Sequence, residues 1–230
     1  MKTLIIHGQN HKGSTYHIAK MLADKIGFEQ TEFFLPRDFG EFCVGCTRCF
    51  LESEDKCPHY EKLAPIVKSM DEADVIILAS PVYVLHVTGP MKAFLDHLGY
   101  RWMVHRPEEK MFGKQGVCIS TAAGGGTKST NKDMADSLLH WGVGKIYKYG
   151  CNVHAIKWDG ISDKKKAEIE KNTSELAKKI RATAGHVSPG PKTKGLFNVI
   201  RIANSKIASS PADNNYWKKK GWFGNKRPWK

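Results

Sequence analysis

The chain of 230 residues predicts an α/β fold: a doubly wound, five-stranded parallel sheet with helices on both faces, then a basic C-terminal extension. Three observations predict it. Short apolar runs alternate with segments of helical periodicity. The run Asp74–Ser80 is apolar on both faces, as in a strand buried within a parallel sheet. The charge is uneven: residues 186–230 carry +9 of the formal +13, leaving the body at +4.

The elements follow in order. Thr3–His7 is the first apolar strand, with Gly8 directly after it. Ser14–Ile26 places Ile18, Met21, Leu22 and Ile26 at helical spacing, and Gly27 fits a C-cap. Phe28–Leu35 reads as a second strand and Glu61–Met70 as a helix. Asp74–Ser80 is the third strand. Pro90–Leu98 is a helix with proline in its first turn. Val117–Thr121 is a strand, Ser129–Trp141 a helix, Ile146–Ile156 strand-like, and Ser162–Thr183 a long polar helix. The cluster Ser188-Pro189-Gly190-Pro191 marks a linker. Residues 1–185 are therefore expected to form one domain, and 186–230 an extension.

Composition excludes several classes. Hydrophobic residues at 41% suit a packed core rather than a disordered polyelectrolyte. No apolar window is long enough to span a membrane, and the first apolar run is too short for a signal peptide. Six cysteines then suit a reducing cytosol, so a cytoplasmic location is expected. No nucleic-acid-binding motif accompanies the basic charge, so nucleic acid is not an expected partner. Neither G-x-S-x-G nor H-E-x-x-H occurs, and no catalytic acid, base or nucleophile is assigned.

Ligands of open parallel sheets sit beyond the carboxyl ends of the strands. Three loops there are informative. Gly8–Tyr16 joins a strand to a helix and is rich in small, amide and hydroxyl residues, which suits a phosphate at a helix N-terminus. An ordinary N-cap by Ser14 is the alternative. The loop matches neither G-x-G-x-x-G nor the P-loop pattern. Ser80–His86 is apolar with one aromatic, as the wall of a flat ring would be, or as a plain buried connection. Ser120–Thr127 carries three glycines that let backbone amides approach a ligand, or simply form a flexible turn.

Together these loops resemble the flavodoxin-like NAD(P)H-dependent FMN reductase and quinone reductase superfamily, including its iron–sulfur flavoprotein branch. The carriers are Gly8–Tyr16, the segment SPVYVLHVTGPMKAFLDH (Ser80–His97) and STAAGGGT (Ser120–Thr127). The resemblance implies FMN at the strand edge and NAD(P)H as electron donor. It implies Gln9, His11, Ser14, Thr15 and Tyr16 around the phosphate. Pro81, Val82, Tyr83, Val84, Leu85 and His86 would flank the isoalloxazine. Thr121, Ala122, Gly124 and Gly125 would meet its pyrimidine side. Many members carry Ser-x-Arg in the first loop, where this chain has Gln9-Asn10-His11. The implied activity passes hydride from NAD(P)H through flavin to a quinone, free flavin or nitro compound, in a homodimer or homotetramer. A non-catalytic electron carrier is the alternative.

Cys43, Cys46 and Cys49 form C-x2-C-x2-C, and Cys57-Pro58 follows. This close spacing resembles ferredoxin-type cluster binding more than structural zinc. Three readings stand: a [4Fe–4S] cluster, a loop of free thiols shaping a dimer surface or the flavin pocket, and zinc. Cys118 and Cys151 read as small buried hydrophobes. The run Tyr100–Pro107 offers aromatics and cations to roof the ring or bind a nicotinamide phosphate, with a solvated helix end as the alternative for His105 and Arg106. In the extension, Leu196–Ala203 predicts an amphipathic helix that can dock on a neighbouring subunit. Asn215–Phe223 mixes aromatics with cations, which suits an anionic membrane, an RNA or the acidic rim of a partner subunit. The resemblance, whose members include chains ending in a similar Tyr-Trp-Lys…Gly-Trp element, implies packing within the protein over a membrane surface.

Overall fold

A computed structural model describes residues 1–206 and 210–230. The strands are β1 (Lys2–His7), β2 (Glu29–Phe34), β3 (Val75–Pro81), β4 (Gln115–Ala122) and β5 (Lys145–Asn152). They form one parallel sheet in the order β2-β1-β3-β4-β5. This is the flavodoxin-like order. β5 stops at Asn152, short of the expected Ile156.

Eight helices are described: α1 (Ser14–Ile26), α2 (Arg48–Leu51), α3 (Tyr60–Glu72), α4 (Gly89–His97), α5 (Thr127–His140), α6 (Asp163–Thr183), α7 (Pro191–Lys206) and α8 (Pro211–Lys220). Gly27 closes α1 in the left-handed region at φ 75°, its N–H donating to Ala23 O at 3.1 Å. Thr88 caps α4 by accepting from Met91 N, with Pro90 in the first turn.

The two sheet faces carry separate cores. One holds Ile6, Ile76, Leu78 and Cys118 against Ile66 and Met70 of α3, Met91 and Phe94 of α4, and Met134 and Leu138 of α5. The other holds Ile5, Ile77, Val117 and Ile119 against α1 and α6. Every residue of β4 is buried, and its centre, Val117–Ile119, is apolar without alternation as two-sided burial requires, while Gln115, Ser120 and Thr121 are buried polar residues toward its ends. Each fully buried Leu, Ile or Val contributes about 1.5–3 kcal/mol.

The extension forms a third core on the body. Phe197 of α7 and Trp217 of α8 stack at 5.2 Å, and Trp222 meets both edge-on at 5.4 Å. Phe112 and Met103 of the body complete the cluster. Trp217 Nε1 donates to His105 O at 2.6 Å. Thus Phe197 faces its own chain. The Ser188–Pro191 linker is shorter than expected, because Pro191 already begins α7.

Two expectations follow. Trp217→Ala removes a fully buried indole, so unfolding free energy in urea should fall by about 3–5 kcal/mol; a loss below about 1 kcal/mol would show that this core is not a stability element. His7, His17, His97 and His140 are all held below the ordinary histidine value of 6.5, chiefly by burial. The unfolded chain therefore takes up these protons first as pH falls, and stability drops on the acid side of about 6.5. The urea midpoint should be lower at pH 5.5 than at pH 7.5; an equal or higher midpoint would contradict this.

Candidate functional site

After β1 the chain leaves toward β2, and after β3 it leaves toward β4. Their carboxyl ends part at this switch point, and the loops there line a cleft of about 450 Å3. Gly8 sits at its floor. Gly8 N donates to Ala79 O at 2.7 Å, and Thr88 Oγ1 donates to Gly8 O at 2.5 Å. A Cβ on Gly8 would lie 3.0 Å from Thr88 Oγ1 and 3.1 Å from Ser80 Cβ. Only glycine fits this weld without displacement.

Gln9 and His11 face the cleft together with Tyr83. Tyr83 OH donates to Gln9 Oε1 at 2.8 Å, and Gln9 Nε2 lies 2.9 Å from His11 Nε2. This order makes His11 Nε2 the acceptor and leaves its proton on Nδ1. The N-cap of α1 is Gly13 rather than Ser14, and no side chain caps the helix. The first-turn amides therefore stay available. The His11 ring lies over Gly13, where a Cβ would come within 2.8 Å of it.

Ser14 and Thr15 are buried, and Thr15 Oγ1 shares a 2.6 Å hydrogen bond with Thr121 Oγ1. That bond ties the first loop to the third. Tyr16 instead packs its ring 5.1 Å from His7 and 5.9 Å from Phe34. Lys12 lies over Tyr16 at 5.2 Å, which puts a cation in the loop that lacks the family's arginine. Sequence reasoning passed over Lys12; its charge beside Ser14 and Thr15 was the available signal.

The second loop is a tight turn. Tyr83 N donates to His86 O at 2.9 Å and His86 N to Tyr83 O at 3.1 Å. Val84 and Leu85 between them take φ of 49° and 67°. Two successive positive φ values suit glycine or asparagine, and a β-branched residue there is strained. Val84 is 95% exposed, and Tyr83 and Leu85 are exposed too. The turn is thus strained, exposed and apolar, a combination that could serve a ligand. His86 is turned to α5, with Nδ1 2.9 Å from Asp133 Oδ2. Pro81 ends β3 beside Thr121, and Val82 N donates to Thr121 O at 2.9 Å.

In the third loop Thr121 and Ala122 are buried at the end of β4. Gly124 and Gly125 face open space. The steric requirement falls instead on Gly126, at φ 91°, where a Cβ would lie 2.6 Å from Val82 Cγ1. Gly126 also begins α5 without a side-chain cap. Asn152 Nδ2 donates to Gly124 O at 3.0 Å, while its buried Oδ1 has no partner among the described residues. Thr88, Gly126 and Asn152 thus join the site on grounds that only tertiary contact reveals.

The four cysteines gather elsewhere. Cys43, Cys46, Cys49 and Cys57 line one small pocket with His59 and His97. Gly45 and Thr47, both at positive φ, let the chain turn tightly between them. The Cys49 thiol is pushed up to about 11 by burial, and then by the neighbouring Cys57, Cys43 and Cys46. Four thiols around one pocket are a donor set that could hold an iron–sulfur cluster or another thiophilic metal. His59 Nδ1 lies 2.9 Å from His97 Nε2, and the ligand atoms of Cys57, His59 and His97 lie within 4.8 Å of one another. The pocket adjoins the far end of α4, whose nine residues extend about 13 Å from the Gly8 weld. None of the four cysteines lines the Gly8 cleft.

Cys118 and Cys151 are buried, as expected of core residues. Arg101 is neither roof nor solvated: it is 4% exposed and paired with Asp71. His105 and Arg106 both pair with Asp213 of α8.

Val84→Asn should relieve the turn's strain and raise unfolding free energy by about 1 kcal/mol, since asparagine tolerates the left-handed region. An unchanged or lower midpoint in urea would show that the turn stores no strain.

Residues 1–154 match the model of the family described as NADPH-dependent FMN reductase. An iron-sulfur flavoprotein of Archaeoglobus fulgidus is 29% identical over 206 residues, covering 87% of this chain and 88% of that protein. An NADPH azoreductase of a Bacillus species is 28% identical over 151 residues, covering 64% of this chain and 71% of that protein. Among solved structures, an FMN-dependent NADH-azoreductase of Bacillus anthracis in complex with FMN superposes with a TM-score of 0.56 at 13% identity, covering 77% of this chain and 100% of that one. The NAD(P)H:quinone oxidoreductase of Methanothermobacter marburgensis gives 0.56 at 12% identity, over 76% and 94%. At such identities the superpositions show the fold. The sequence match carries the family: this chain belongs to the NADPH-dependent FMN reductases.

Proposed function

We propose that the chain binds FMN in the Gly8 cleft and uses it to oxidise NAD(P)H at the expense of a small acceptor such as a quinone, free flavin or nitro compound. The observation that carries this reading is the meeting of the loops after β1 and β3 at their switch point, with an uncapped helix N-terminus, a strained apolar turn and the loop after β4 tied in by the Thr15–Thr121 bond. The residues fit the group. The α1 amides, Ser14 and Thr15 suit a phosphate, and Lys12 and His11 add a cation and an N–H donor beside it. Tyr83, Val84 and Leu85 offer an apolar wall to a flat ring. The unpartnered Asn152 Oδ1 and the open Gly124–Gly125 backbone suit its polar edge.

FMN, when bound, supplies the hydride acceptance and release that no side chain here provides. The chain's own work is placement. The Tyr83–Gln9–His11 line fixes the second loop against the first. The Thr15–Thr121 bond fixes the first against the third. The exposure of Tyr83, Val84 and Leu85 supports access of nicotinamide and acceptor to a group held there, and supports the expected homo-oligomer. Cys43, Cys46, Cys49 and Cys57 are proposed to hold a [4Fe–4S] cluster; the A. fulgidus relative's name supports this, as does the single pocket they share.

Purified protein should oxidise NADPH with menadione as acceptor. Tyr83→Ala should weaken FMN binding about tenfold, the equivalent of one buried aromatic contact. Wild-type flavin content and turnover in that variant would remove Tyr83 from the site. Anaerobic protein should contain iron and acid-labile sulfide, with absorbance beyond the flavin bands. A chain that stays free of iron after anaerobic reconstitution would sink the cluster reading.

A further inference from the structure

We propose that Asp213, on the C-terminal helix α8, is a positioning residue that holds the cysteine loop in its ligand-presenting shape through Arg106, with Ser210 as a second tie. The loop needs such support. Among the described residues its only α-helix, α2, is four residues long and has no side-chain N-cap, and the one other helical piece is a 3-10 turn over Glu54–Lys56. A single turn leaves its carbonyls unpaired and is not stable alone. Those carbonyls are satisfied from outside. Arg106 Nη2 donates to Cys49 O, and Nη1 donates to Phe50 O at 3.3 Å. Ser210 Oγ donates to the same Phe50 O at 3.0 Å.

Arg106 is itself aimed by Asp213. The carboxylate accepts from Arg106 Nη1 at 2.5 Å and lies 2.8 Å from His105 Nδ1. Asp213 is only 2% exposed, and the Arg106 side chain 9%. The other carboxylate near Arg106, Glu54, is 4.0 Å away and half exposed. A buried guanidinium that loses Asp213 is therefore left poorly compensated, moves toward water and leaves the carbonyls it served. Ser210 also accepts from Asp213 N at 3.2 Å, so one helix start carries both ties. The Phe50 ring, 4.6 Å from the His105 ring, closes the contact.

Among the described residues, Cys49 is the one of the four loop cysteines whose backbone carbonyl a side chain grips. Holding a ligand's backbone in place before binding lowers the ordering cost of binding, as outer-shell partners of metal sites do. The extension thus acts on the cysteine loop rather than on the flavin cleft. That consequence rests on the cluster reading; the grip on Cys49 and Phe50 does not.

The test uses the full-length, reduced chain stripped of iron by chelation, with iodoacetamide as probe and mass spectrometry to resolve each cysteine. In Asp213→Asn the alkylation of Cys49 should accelerate about tenfold, reporting local opening of the loop. Cys118, buried in the sheet core, should stay unreactive, and FMN content should stay at the wild-type level. Tail packing alone would lower the melting temperature but leave the Cys49 rate unchanged. If Cys118 also becomes reactive, Asp213→Asn has unfolded the chain and Ser210→Ala, which deletes one hydroxyl, is read the same way. An unchanged Cys49 rate in the folded variant overturns the proposal. Reconstitution with ferrous ion and sulfide should then load about tenfold less readily in the variant. If the wild-type chain takes up no iron, the cluster reading fails while the labelling still decides the grip.

Discussion

Everything at the candidate site depends on one constraint: β1 and β3 lie side by side, and the chains that leave them part in opposite directions. That parting opens the cleft, and Gly8 is where it is pinned. The peptide of Gly8 bonds to Ala79 on one side and Thr88 on the other, with no room for a side chain. Pinned there, the first loop brings Gln9 and His11 and the second brings Tyr83 to the same cleft. The Thr15–Thr121 bond brings in the third loop. The strain at Val84 and Leu85 is tolerated because β3, Thr88 and Asp133 hold both ends of the turn.

The fold is legible because its central strands are written in apolar runs that two-sided burial explains, while the edge strands β2 and β5 are mixed and half exposed. Asp74–Ser80 and Val117–Thr121 correspond to β3 and β4, the most buried strands. The helices were legible from period and punctuation, Gly27 and Pro90 above all. The site was legible in outline, since glycine, hydroxyl and apolar residues cluster after three strands. Its details were not. Which glycine of Gly124–Gly126 must be glycine depends on how close Val82 comes, a tertiary distance that no local pattern encodes. Ser14 suited an N-cap by type, yet Gly13 takes the position and the helix goes uncapped. His59 and His97 flank the cysteine pocket from a helix start and a helix end, 38 residues apart.

The extension shows how charge can mislead when read as a sum. Its +9 suggests a polyanion partner, yet its structural weight lies in Phe197, Trp217 and Trp222 and in one buried carboxylate, Asp213. The lysines lie around this core: Lys220 is 5.9 Å from Trp222 and 3.0 Å from Glu109, and Lys194 is 6.0 Å from Trp229. Such cations cover aromatic faces while their heads stay wet. The only acidic residue of residues 186–230 is the one that reaches inward, to Arg106 and His105.

The central claim is that one cleft, at the β1/β3 edge, receives FMN. Hydrogen–deuterium exchange on the flavin-free chain, with and without FMN, tests it most directly. Amides of residues 8–16, 81–88 and 121–127 should gain protection together, while the cysteine loop 43–57 stays unchanged. Protection confined to other segments, or none at saturating FMN, would contradict the claim.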